Sequence, residues 1–158
     1  MGQRTESTSH QVKAAQHALL YHEWPEEAGT AVETDLAMYQ KLQQQRAHAD
    51  WTPSDLISLA NLSKLQTDVV REHDKLRAEG LITYGGKSGF TPIQNPRQRI
   101  VQDLNSSINS LARRLGLTSK SLNEKRAAAS RTEAERKARE VLSPEATGGK
   151  SRSGRDLM

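Results

Sequence analysis

Lys64, Arg71 and Lys75 are spaced by seven and then four residues, which puts three cations on one face of any helix that contains them, with Asp68 interrupting the stripe. A denser basic set follows: Arg113, Arg114, Lys120, Lys125, Arg126, Arg131, Arg136, Lys137 and Arg139. The chemistry open to such residues is electrostatic: Lys and Arg neutralise phosphates, and that term dominates affinity for duplex nucleic acid. No aromatic residue interleaves with the second set, so base stacking on a single strand is not its signature and duplex DNA is the expected polyanion. Either set alone also reads as a solvated helix face.

Signs of bond-making chemistry are weak. The five histidines, His10, His17, His22, His48 and His73, show no HExxH arrangement, and each reads as a surface residue rather than a metal ligand. Gly85-Gly86-Lys87-Ser88-Gly89 holds a Lys-Ser pair without phosphate-loop spacing and reads as a turn. Glu26 and Glu27 lie in polar surroundings that would not raise a carboxyl pKa. With no cysteine, thiol nucleophiles, disulfides and cysteine-bound metals are excluded. The expectation is therefore no catalytic residue, no metal and no cofactor.

The net charge of +4 is unevenly spread. Residues 1–50 hold 4 basic and 7 acidic side chains, residues 51–95 hold 5 and 5, and residues 96–158 hold 14 and 7. The basic excess thus falls after Asn95, an asymmetry that points to a polyanionic partner. Apolar residues make up 34% of the chain, with one Phe, two Trp and three Tyr, so one core with solvated tails or helix faces is the natural reading. No apolar run approaches the length of a membrane span.

The elements that would position these cations are helical. Residues 1–9 and 143–158 read as disordered. Residues 10–50 carry two N-terminal helices: one from His10 to about Glu23, stopped by Trp24-Pro25, and one opened by a Thr30/Glu33 capping box and running to about Ala47. Thr52, Pro53 and Asp55 open a long helix, and Leu56, Leu59, Leu62, Leu65, Val69 and Leu76 mark its apolar stripe until Gly80 ends it as a left-handed cap. A glycine-turn β-hairpin or folded loop follows. Asn95-Pro96 opens a helix striped by Ile100, Leu104, Ile108, Leu111 and Leu115, and Gly116 stops it. Residues 118–142 form a basic helix almost without an apolar stripe, expected to fray without a partner.

The fold class is thus all-α, with residues 51–117 forming an antiparallel long-helix hairpin. Ile57, Ala60 and Val70 widen the apolar surface of the long helix beyond one contact, so the two stripes are expected to pack against further copies of the chain; the alternative is that residues 10–47 fold back over them.

In order, Asp50-Trp51-Thr52-Pro53-Ser54-Asp55-Leu56, Glu79-Gly80-Leu81-Ile82, Asn95-Pro96 and Leu115-Gly116-Leu117-Thr118 resemble the landmarks of the small terminase subunits of tailed double-stranded-DNA bacteriophages. The resemblance covers about residues 33–122. It departs from the family pattern after Thr118, where Ser119-Lys120-Ser121 stands in place of a proline followed by Ser-Arg. It implies a non-enzymatic, helical ring of roughly eight to ten subunits in the host cell cytoplasm that recognises duplex viral DNA and recruits the large ATPase-nuclease subunit. A helical DNA-binding regulator and an oligomeric scaffold are the rival classes.

Overall fold

The computed structural model describes residues 8–87, 89–118 and 126–143, and its architecture is mostly helical. Helix α1 spans Thr8–Ala18, α2 Glu33–Gln43, α3 Pro53–Glu79, α4 Arg97–Arg114 and α5 Arg126–Leu142. Short 3-10 turns lie at Glu26–Ala28 and His48–Asp50, and strands β1 (Ile82–Gly85) and β2 (Thr91–Gln94) pair antiparallel between α3 and α4.

Helix α3 begins and ends at the residues expected of it, because the signals at both ends are local. The Asp55 amide donates to Thr52 Oγ1 at 3.2 Å, and the Thr52 amide donates back to Asp55 Oδ2 at 3.4 Å, so two orphan donors are satisfied reciprocally. Gly80 caps the other end at φ 87, although its ψ of 164 lies outside the left-handed helical well. At about 1.5 Å per residue the 27 residues span roughly 40 Å.

The glycine turn forms a true hairpin, with Ile82 opposite Gln94 and Tyr84 opposite Pro92. Asn95 then locks its base to both long helices. Its Oδ1 accepts from the Arg97 amide at 2.9 Å, and its Nδ2 donates to Glu79 and to the Gly80 carbonyl, each at 3.0 Å. Helix α4 closes in a Schellman motif: Leu117 N donates to Ala112 O at 2.9 Å and Gly116 N to Arg113 O at 3.1 Å, with Gly116 at φ 68.

The core sits on the first turns of α3. Tyr39 and Leu42 from α2, Trp51 just before α3, Leu59, Ala60 and Leu62 from α3, and Leu115 just past α4 are buried together. Residues ahead of α3 therefore do cover part of the long helix. A side-chain amide fastens the strap between α1 and α2. Gln43 Oε1 accepts from the His22 amide at 2.7 Å, while its Nε2 donates to the His22 carbonyl at 3.1 Å. Tyr39 OH donates to Glu23 O at 3.1 Å, and burial pushes this phenol up to about 12.

The N-terminal third departs from sequence expectation at several points. Helix α1 stops at Ala18 rather than near Glu23, because the chain leaves it to pair with Gln43. The Thr30/Glu33 capping box is not formed: α2 starts at Glu33, and Asp35 accepts from the Val32 amide at 3.2 Å and from the Thr67 hydroxyl. Helix α2 ends at Gln43 rather than Ala47. Helix α5, expected to fray without a partner, has one in α1. The expected disordered ends fall largely at 1–7 and 144–158, and the start of the basic helix at 119–125, outside the described residues.

Arg97 ties the first turn of α4 to the last turns of α3, pairing with Glu79 at 2.8 Å and with Glu72. Its hydrogen bond, with help from Asn95, holds Glu79 down to about 2 from the usual 4.5, and bonds from Lys75 and Arg97 lower Glu72 as well. Carboxyls depressed in this way stabilise the fold above their ordinary pKa, and that stability is lost as pH falls through the folded value. Arg97→Gln should therefore melt below the wild type at pH 7, with the gap narrowing steadily from about pH 4.5 towards pH 2. Thermal unfolding followed by circular dichroism across that range checks it; a gap that is constant with pH would refute the assignment.

Candidate nucleic-acid interface

The structure sorts the basic residues by what already holds them. On α3, Lys64 Nζ donates to the Ala28 carbonyl at 2.6 Å and lies 5.4 Å from the centre of the Trp24 ring. It fastens the Glu26–Ala28 turn to the long helix. Arg71 pairs with Asp68, and Lys75 pairs with Glu72 at 2.8 Å. Arg71 and Lys75 are therefore matched along their own helix, each by an acid three residues before it.

On α5, Arg136 pairs with Glu133 at 2.7 Å and Lys137 approaches the same carboxylate at 3.9 Å. The hydrogen bond from Arg136 holds Glu133 below the usual carboxylate range and raises Arg136 in turn. Arg131 pairs with Asp50 at 2.8 Å. Arg139 turns inward to Glu135 and to two backbone carbonyls. Arg126 opens the helix, while Lys120 and Lys125 lie outside the described residues.

Arg113 and Arg114 differ from all of these. Both are exposed in the last turn of α4, and neither makes an ion pair or a side-chain hydrogen bond among the described residues. They stand at the negative end of the helix dipole, which favours cations there without neutralising them. Arg77, Lys87 and Arg99, which the spacing argument passed over, are likewise exposed and unpaired among the described residues. They belong to the hairpin end of α3 and α4, whereas Arg113 and Arg114 lie at the core end. Isolated single cations leave no spacing signal, which is why the sequence did not single them out.

The apolar stripe residues divide in a similar way. Leu59, Leu62, Leu76 and Leu115 are buried within the single chain. Leu56, Leu65, Val69, Leu104, Ile108 and Leu111 are half-buried, and Ile100 is exposed. Val70 on α3 and Leu81, Ile82, Tyr84 and Phe90 around the hairpin are exposed as well, Phe90 at 85%.

Three of the histidines, expected as separate surface residues, come together where α1, the strap and the His48–Asp50 turn meet. The rings of His22 and His48 stack at 4.0 Å, and His17 lies 5.3 Å from His48. His22 Nε2 is 2.9 Å from the His48 carbonyl, so that nitrogen must carry the proton. Burial first, then the neighbouring His22 and His17, hold His48 below the usual imidazole range. No group of three or more His, Asp or Glu residues suited to a metal ion occurs among the described residues. No helix among them is long and apolar enough to cross a membrane.

What the geometry offers, then, is a helical frame with free cations at both ends of its longest helix pair and uncovered apolar side chains along it. A comparison with curated proteins finds no match. A family model does match, over residues 1–152, nearly the whole chain and well beyond the stretch in which the landmarks around α3 and α4 lie. On that match the chain belongs to the Hendrixvirinae small terminase family, and with it to the machinery of phage DNA packaging.

Proposed function

We propose that this chain is a non-catalytic packaging subunit that binds duplex viral DNA and recruits and regulates the large ATPase-nuclease subunit, working as a ring in the host cell cytoplasm. The observation that carries the reading is the family match across residues 1–152. The charge asymmetry supports the DNA part: the basic excess lies after Asn95, and Arg113 and Arg114 in that segment remain unpaired among the described residues. Cations already matched to acids cannot release counterions from DNA without first breaking their own pairs, so unmatched ones should dominate.

The ring is supported by what one chain leaves uncovered. Helices α3 and α4, taken as an antiparallel hairpin, bury Leu59, Leu62 and Leu115 at one end, while Val70, Ile100 and the residues around the β-hairpin face outward. A neighbouring copy would bury them, and closed symmetric assemblies are the usual outcome of such contacts. A scaffold without DNA affinity would share this surface, so DNA binding separates the two readings.

Three measurements test the proposal. Native mass should show a closed assembly of roughly eight to ten subunits, as its family suggests; a clean monomer at micromolar concentration would refute the ring. In titrations across salt, Arg113→Ala/Arg114→Ala should weaken duplex binding and flatten the salt slope by about 0.9 for each phosphate contact removed. Lys64→Ala/Arg71→Ala/Lys75→Ala should change the slope much less, and the opposite ranking would move the DNA to α3. Finally, the purified chain should hydrolyse no ATP, yet should alter the ATPase rate of its cognate large subunit; an unchanged motor would sink the recruitment role.

A further inference from the structure

Helix α5 is basic, yet Arg139 is turned into the chain and Arg131, still exposed, is paired to it. The Arg139 side chain is only 15% exposed. Its Nε donates to the Ala18 carbonyl at 2.8 Å, its Nη1 to the Gln44 carbonyl at 3.2 Å, and its Nη2 to Glu135 at 3.3 Å. Arg131 directs both Nε and Nη2 onto a single Asp50 oxygen, at 3.1 and 2.8 Å. The neighbouring turn of α5 completes the attachment through the opposite sense of bond: Thr132 Oγ1 accepts from the Ala47 amide at 3.2 Å, and Glu135 accepts from the His48 amide at 3.0 Å.

The apolar share of this contact is small. On the α1 side it comes from the methyl groups of Ala14 and Ala18, while Val141 and Leu142, the largest apolar residues of α5, stay exposed. Nor is the docked state fully satisfied, since the second oxygen of Asp50 is buried without a hydrogen-bond partner. Helix α5 is therefore held mainly by charge-assisted bonds, in which Asp50 and two backbone carbonyls occupy the arginines where phosphate oxygens could bind.

We propose that the docked α5 is autoinhibitory: Asp50 holds Arg131, and the Ala18 and Gln44 carbonyls hold Arg139, against residues 8–50, and duplex DNA displaces the helix by taking those arginines onto its phosphates. This rests on the DNA-binding reading above and adds to it a closed state with lower affinity. If the closed state holds nine chains in ten, the apparent affinity is about tenfold below that of the open state.

The amides of Ala47 and His48 report directly on docking, because their partners are on α5. Hydrogen exchange of the full chain, with and without saturating random-sequence duplex, should show these amides losing protection on binding while those of α3 keep theirs. Duplex binding in a mobility shift with unchanged protection at 47 and 48 would overturn the autoinhibition and leave the DNA reading standing. Absence of duplex binding would remove both. Ala18→Phe, a charge-neutral change at a fully buried α1 position whose carbonyl accepts from Arg139, should open the helix and raise duplex affinity about tenfold on the same arithmetic; equal or weaker affinity in a folded variant would count against the proposal. If the variant fails to fold, exchange in the wild-type chain decides alone.

Discussion

One guanidinium holds the core end of this molecule together. Arg46 donates to the Asp50 carbonyl, to the Asp55 carboxylate at 3.3 Å and to the Leu115 carbonyl at 3.2 Å, and it lies 4.5 Å from the centre of the Trp51 ring. Those partners belong to the turn before α3, the first turn of α3 and the end of α4. The Leu115 carbonyl is one of the helix-terminal acceptors that a C-terminus leaves without an intrahelical donor, so the same contact supplies a missing hydrogen bond as well as a tether. A lysine could supply the charge there but not the planar fork that meets several acceptors at once. The core of Tyr39, Leu42, Trp51, Leu59 and Leu62 can form only with those three segments in register.

From that anchor the chain uses two different kinds of adhesion. Around the core, helices α2, α3 and α4 meet through leucines and aromatic rings, which bind by area and are not screened by salt. Helix α5 is held to α1 and the His48–Asp50 turn by alanines, the Arg139 bond to the Ala18 carbonyl and the Arg131–Asp50 ion pair, and the polar contacts are ones that other charges can contest. The contrast is also one of location: the hydrophobic contact lies in the segments that position the family landmarks, and the polar contact lies in the basic segment that the charge asymmetry assigns to a polyanion.

The same contrast explains what was legible in the sequence. Thr52-Pro53 with Asp55, Gly80, Asn95 and Leu115-Gly116-Leu117 act through bonds to residues within a few positions, so α3 and α4 could be bounded without knowing the fold. Thr30 and Glu33 look like an equally good helix start, but Asp35 takes that role because Thr67, 32 residues away, also bonds its carboxylate. The exit of α1 was hidden for a similar reason, since the Gln43 side chain imitates a backbone partner for His22. Among the basic residues, spacing located Lys64, Arg71 and Lys75 on one helix but could not show their local partners. Docking of α5 gave no periodic signal at all, because its interface is built from Ala, Thr, Glu and Arg.

The length of α3 has a further consequence. Its first turns are fixed in the core and its last turns carry the β-hairpin, so the helix acts as a geared shaft between two fittings. One inserted residue would rotate the hairpin by about 100° and advance it by about 1.5 Å. Helix α4 touches this shaft near both of its own ends, through Arg97 at one and Leu115 at the other. Length changes in the two helices must therefore come together and in steps close to whole turns, about seven or eleven residues, for the fittings to keep their phase. The spacing between the two ends of the molecule is in this sense quantised, and only the hairpin tip is free to vary by single residues.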